Sequence, residues 1–257
     1  MASDRAGFFD RFGLSQTLKR WTRAMQAPAL LQTGDLSALH REMHRARDRI
    51  DTLAARAQSE LLTRATGSDG IDRPDQCDWA ERAAPWRQKI TPRGHIRPGS
   101  PHEIGGGVIL FHDAMQADLT VRQDPAPPEI PGAAFGLVLE VYRFDGSFLS
   151  LVQDLPEEAL KGLTLNHFIA VHLRVVREQP IEIYARLNVQ HGPNQEQIVR
   201  QVEFRDGRGY AEFDLAYTKI NEKRLEKAWL DLILEGPEMN RLAIWDMVLL
   251  RAPRADV

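Results

Sequence analysis

The chain has 257 residues, 43% hydrophobic and 27% charged, with a net charge of −3. That balance fits a soluble globular protein and argues against a chain built wholesale for nucleic acid. No apolar run approaches the ~18 residues that a membrane-spanning helix needs, and the single cysteine, Cys77, has no partner for an internal disulfide or a cysteine-based zinc site.

The charge is unevenly spread. Residues 1–65 hold eleven Lys/Arg against seven Asp/Glu, whereas the remainder holds 22 against 29. Such a split predicts two physically distinct parts. The first stretch, MASDRAGFFDRFGLSQTLKRWTRAM, lacks a continuous apolar signal core and an A-x-A-like cleavage site, so the expected location is cytoplasmic. Phe8, Phe12, Leu14, Leu18, Trp21 and Met25 can line one side of a helix, interrupted at Gly13 and ended by Pro28.

The clearest periodicity follows. Leu36, Leu39, Met43, Ala46, Ile50, Leu53 and Ala57 recur at spacings of 3 and 4, a heptad seam over 36–61. Asp35 is placed as its N-cap and ATGSDG as its stop. The seam packs on the first helix as a hairpin or joins copies of the chain in an oligomer. Against these stands contact of residues 8–25 with a membrane surface, Phe and Trp on one face and Arg11, Lys19, Arg20 and Arg23 on the other. The hairpin or oligomer is preferred, because a heptad seam needs an apolar partner nearby.

Residues 66–107 change character, with five Pro and seven Gly in 42 positions. RGHIRPGSPHEIGGG does not suit a helix interior. Trp79 and Trp86 are expected to pin this linker against its neighbour.

From Val108 the period becomes two. Strands are expected at 108–113, 118–123, 135–144, 148–153, 168–176, 181–190, 196–204, 210–217, 229–235 and 242–251, with a helical turn in DLPEEALKGL. About ten short strands separated by turn signals predict an all-β sandwich or barrel. HGPN, residues 191–194, joins two alternating runs and reads as a turn, with His191 at the loop edge. The predicted organisation is therefore a helical arm over 1–65, a linker packed on the sandwich over 66–107, and a β domain over 108–257, α+β by segments.

The stretches FGLVLEVYRFDGSFLSLVQDLPEEALKGL, EIYARLNVQHGPNQEQIV and EFDLAYTKINEKRLEKAWLDLILEGPEMN, with the helical DLSALHREMHRARDRID, resemble an alphaproteobacterial family built on a domain of unknown function. That resemblance implies no activity and no functional residues. Residues from about 135 to 251 also resemble the galactose-binding-like jelly roll of carbohydrate-binding modules, on PIEIYARLNVQHG and WLDLILEGPEMNRLAIWDMVLL. This implies a mainly antiparallel jelly-roll sandwich and a saccharide among the candidate ligands.

A sugar site needs aromatic rings for stacking and polar groups to fix hydroxyls. The strand positions opposite the apolar set supply Glu140 and Tyr142, His172 and Arg174, Tyr184, Arg186, Asn188 and Gln190, and Trp229 and Asp231. Glu140, Tyr142, His172, Arg174, Tyr184, Arg186, Asn188, Trp229 and Asp231 are the candidate ligand-binding set. Every antiparallel sheet has a wet face with such residues, and parity alone does not assign strands to sheets. Asp246 matches the place of a calcium-ligating acid in related modules, but one carboxylate does not make a calcium site, so it reads as structural. No catalytic motif, metal set or cofactor site is legible; His40 and His44 stand at i, i+4 without the H-E-x-x-H pattern. The expectation is a non-catalytic binding or interaction protein taking a saccharide or a protein surface, against a structural component that oligomerises through 36–61 and, less favoured for want of a motif, an enzyme with a site assembled across loops.

Overall fold

The computed structural model describes residues 4–26, 28–66, 70–127, 129 and 132–254. The chain divides into two compact units, Met1–Ala54 and Ala55–Val257.

In the first unit, helix α1 (Asp4–Gln26) leads through a 3-10 turn at Pro28–Leu30 into helix α2 (Thr33–Thr66), which runs on into the second. α1 continues through Gly13, where a break was expected; one glycine costs a helix only about 1 kcal/mol. α2 begins before Asp35, so Asp35 is not its cap. It lies in the first turn, where a carboxylate complements the helix dipole. Arg20 of α1 pairs with Glu42 of α2. Leu39, Met43 and Ala46 of the heptad seam are half-buried, while Leu36, Ile50 and Leu53 are exposed. The side chains of Phe8, Phe12 and Leu14 lie outside the described residues. Among the described residues no helix is long and apolar enough to cross a membrane.

The second unit is a two-sheet sandwich. Its strands are β1 (Trp79–Arg82), β2 (Gly94–Ile96), β3 (His102–Gly105), β4 (Val108–His112), β5 (Ala117–Pro125), β6 (Phe135–Phe144) and β7 (Leu149–Asp154). They continue with β8 (His167–Arg177), β9 (Glu182–His191), β10 (Asn194–Gln201), β11 (Glu203–Arg205), β12 (Arg208–Asp214), β13 (Leu225–Glu235) and β14 (Asn240–Pro253). Sheet A runs β11-β12-β8-β14-β6-β5-β2, with β1 also paired to β14; sheet B runs β10-β9-β13-β7-β4-β3. All pairings are antiparallel. Short helical turns, α3 (Ala84–Arg87) and α4 (Glu157–Leu160), fill the corners.

The period of two builds the core. In β9, Ile183, Ala185, Leu187 and Val189 are buried and meet Leu137, Leu139, Val171, Leu173 and Phe213 in one cluster. Each fully buried leucine or isoleucine contributes roughly 1.5–3 kcal/mol. The HGPN stretch is the tight turn of the β9-β10 hairpin, His191 facing Asn194. Gly192 has φ +59°, which the first central residue of a primed hairpin turn requires, and Pro193 supplies a fixed negative φ after it. His191 stands at the loop edge as expected, as the last residue of β9. It falls on the inward parity of β9, is buried, and its Nδ1 accepts the backbone N–H of Asn221 at 3.3 Å.

The Pro/Gly-rich stretch contributes β1, β2 and β3, two to sheet A and one to sheet B. Trp86 is fully buried and donates its indole N–H to the carbonyl of Ile244 at 2.7 Å. Ile71, Cys77 and Ala80 pack on Ala170, Val248 and Leu250, a second small core on the outer side of sheet A. This roof explains why Met247, Val248, Leu249 and Leu250 are all buried: both faces of β14 are covered there.

Candidate functional site

The nine candidate residues do not form one cleft. Tyr184, Arg186 and Asn188 stand on β9, and Trp229 and Asp231 on the adjacent β13, all on the outer face of sheet B. Trp229 lies opposite Asn188, and Asp231 opposite Arg186. Glu140, Tyr142, His172 and Arg174 belong to sheet A, where β14 separates β6 from β8.

The sheet B group is organised around Asp231, which is 2% exposed. Arg186 donates from Nε to Asp231 Oδ2 at 2.7 Å and pairs with the same oxygen through a terminal nitrogen. Asn188 Nδ2 donates to Asp231 Oδ2 at 3.2 Å. Asn188 is itself buried, and its Oδ1 accepts from Gln197 at 2.9 Å and Gln195 at 3.3 Å on β10. Asp231 Oδ1 is buried without a hydrogen-bond partner among the described residues, an uncommon state for a buried acceptor. Beside this network Trp229 is half-exposed, with Lys227 Nζ 5.5 Å from its ring centroid. Lys227 also reaches Asp154 at 3.1 Å. Tyr184 donates to Glu182 at 2.6 Å, and that carboxylate pushes its phenol pKa up to about 12. The face thus carries two half-exposed aromatic rings and the partly exposed Arg186 guanidinium over a buried Asp231–Asn188 network.

Glu140 and Tyr142 are tied into a surface cluster on sheet A. Glu140 takes Arg122 at 2.9 Å and Arg241 at 3.4 Å, and receives the Tyr142 hydroxyl at 3.3 Å. The Arg122 hydrogen bond holds the Glu140 carboxyl below its usual range. Among the described residues its acceptor capacity is largely used by its own neighbours.

His172 and Arg174 line a separate pocket of about 420 Å³ on the outer face of sheet A. The sequence reading missed Arg82, Arg208 and Tyr210, which join them there. Asp246 is held by Arg82 through two bonds, at 2.8 and 3.1 Å, and both side chains are buried. A register shift between β14 and β8 precedes Asp246 and re-aims it toward the roof. Gly136 is required beside that bulge, since a Cβ there would lie 2.4 Å from the ring of Trp245.

His40 and His44 are exposed on α2, with their Nε2 atoms 3.1 Å apart. Among the described residues no group of three or more potential metal ligands comes together. Cys77 is half-buried, donates to the Trp79 carbonyl at 3.1 Å, and burial raises its thiol pKa.

The chain matches the Family of unknown function (DUF6478) over residues 1–257. No curated protein matches it. Among solved structures it is similar to a family 11 carbohydrate-binding module from Clostridium thermocellum, at 9% identity and TM-score 0.39, over 63% of this chain and 98% of that one. It is similar to the CBM22-1 xylan-binding domain of Paenibacillus barcinonensis Xyn10C, at 11% identity and TM-score 0.36, over 72% and 100%. It is also similar to the enzymatically active domain of bacteriophage CBA120 tailspike protein 4, at 8% identity and TM-score 0.39, over 56% of this chain and 19% of that one.

Proposed function

The chain belongs to the DUF6478 family, which brings no activity with it, and we propose from the geometry that it is a non-catalytic binding protein whose sheet B face takes a saccharide. One observation carries the reading. Two half-exposed rings, Tyr184 and Trp229, flank a hydrogen-bonded line of Asp231, Arg186 and Asn188 built on two rigid adjacent strands. Sugar rings stack their C–H faces on aromatic rings, and their hydroxyls need donors and acceptors held in fixed places. Fixing the polar groups on strands rather than loops removes part of the ordering cost of binding.

A glycan array of the full chain tests this. The expected result is capture by at least one glycan class, lost in Trp229→Ala and weakened in Tyr184→Ala, with the circular dichroism of both variants unchanged. An array with no captured glycan, or capture that both variants retain, refutes it.

A second reading has its own support. Ile50 and Leu53 of the heptad seam are 56% and 65% exposed, and an apolar seam left in water favours association. In this reading copies of the chain assemble through 36–61, and the sandwich is carried by that assembly. Sedimentation of the full chain against Ile50→Glu/Leu53→Glu decides it: a change to a smaller species supports assembly, and identical monomers end it.

A further inference from the structure

The pocket on the outer face of sheet A has a charge arrangement that its own protein does not balance. Arg208 on β12 lies directly opposite Arg174 on β8. Like charges directly across an antiparallel pair repel, and a guanidinium does not deprotonate to escape. On the other side of Arg174 the register places Asp246, the one acid in that row. Asp246 is already gripped by Arg82 through both carboxylate oxygens. Glu212, two residues from Tyr210, accepts the Tyr210 hydroxyl. Asp72 stands exposed at the rim and is in no ion pair with either arginine among the described residues. Arg174 and Arg208 therefore face each other with no carboxylate partner among the described residues, in a chain whose net charge is negative.

The next row of the same sheet supplies a different surface. Tyr210 lies opposite His172, and their rings sit 5.1 Å apart. Val248 lies opposite His172 on its other side, and Ile71 comes from the roof above. Burial pushes the His172 pKa down, so at neutral pH its imidazole is an uncharged ring. Two guanidiniums at one end and a lining of rings and aliphatic groups at the other enclose about 420 Å³, within the usual range for a small-molecule site.

We infer that this pocket binds a small organic anion, with a carboxylate or phosphate between Arg174 and Arg208 and an apolar or aromatic body against His172, Tyr210, Ile71 and Val248. Guanidinium forks match both oxyanions by bidentate hydrogen bonding. An anion placed there turns the cross-strand repulsion into two attractions. The site lies on the opposite face of the sandwich from Trp229 and does not rest on the saccharide reading.

Calorimetric titration of the full chain with phenyl phosphate, with benzoate, and with the neutral benzyl alcohol tests the proposal. One or both anions should bind with a Kd in the millimolar range or tighter, and the neutral analogue should not; which anion is preferred identifies the head group. Arg174→Gln and Arg208→Gln should each weaken that binding roughly tenfold, the worth of one charge-assisted hydrogen bond, and Trp229→Ala should leave it unchanged. The same variants without ligand give a second readout: removing one of two facing charges should hold or raise Tm. Failure of both anions to bind, equal binding of benzyl alcohol, or binding that survives both substitutions overturns the proposal. So does a fall in Tm of the ligand-free variants, which would mean that the arginines are held by the protein itself.

Discussion

Two buried aspartates, one on each outer face of the sandwich, make an instructive pair. Asp231 on sheet B is neutralised by Arg186 from the neighbouring strand, and that arginine remains partly in water with two aromatic rings beside it. Asp246 on sheet A is neutralised by Arg82, which arrives from a strand 164 positions away and is itself buried. Asp231 follows the plain alternation of β13, whereas Asp246 faces outward only after the register shift that precedes it on β14. What separates them is the roof: the segment carrying Ile71 and Cys77 packs on the outer side of sheet A and leads into β1, which is paired to β14, whereas the Asp231 partners come from β9 and β13 of sheet B. On the face left to its own strands, the neutralising Arg186 stays partly in water. A roofed face spends one ion pair on attaching the roof and keeps a pocket beside it.

The largest test of this contrast is Arg82→Met. It leaves Asp246 charged, buried and unpaired, which costs about 3–5 kcal/mol, read as a lower midpoint in urea denaturation. Arg82→Met/Asp246→Leu should recover most of that loss, because a buried pair replaced by apolar groups is often neutral. Asp231→Ala should cost less, about 1–3 kcal/mol, because Arg186 can turn to water once its partner is gone. If the two losses were equal, the roof would not be what distinguishes the faces.

A pH titration of stability separates the faces more gently. His172 on sheet A has its pKa lowered by burial, and His95 on β2 of the same sheet has its pKa lowered by burial and by the neighbouring His102. In the unfolded chain both titrate near 6.5. A group with a lowered histidine pKa binds more protons unfolded than folded. Its contribution is therefore fully present above pH 6.5 and is lost as pH falls through the folded values. Tm should decline on acidification below that point, and His172→Gln should flatten the decline.

The smallest effect concerns Cys77, inside the roof. Its raised pKa predicts slower reaction with an aromatic disulfide reagent at pH 8 than a free cysteine shows. Arg82→Met should speed that reaction by loosening the roof, while Asp231→Ala should leave it alone.

The expected strands from 108 onward lie close to β4–β10 and β12–β14, because each carries enough alternating positions to show its period; the expected strand at 196–204 ran β10 of sheet B together with the three-residue β11 of sheet A. β1, β2 and β3 were invisible: strands of three or four residues among prolines and glycines carry too few positions for a rhythm to register. His191 stands at the loop edge, where the turn residues beside it put it, and its odd-numbered parity with Val189 also turns its side chain inward. Five of the nine candidate residues do stand together, since they occupy two adjacent strands with the same parity. The other four had the right exposure and the wrong sheet. Arg208 and Tyr210 were passed over although they alternate with Gly209 and Ala211; cross-strand register alone joins them to Arg174 and His172.

The order of apolar and polar side chains determined which residues of this chain seek the interior and which seek water, because a strand's side chains alternate by geometry and the hydrophobic effect acts on each locally. Which strands became neighbours, which wet face received the roof, and that Arg174 would meet Arg208 were decided only in three dimensions. Those outcomes depend on pairings between segments far apart in the chain, and no local pattern records a partner across that distance.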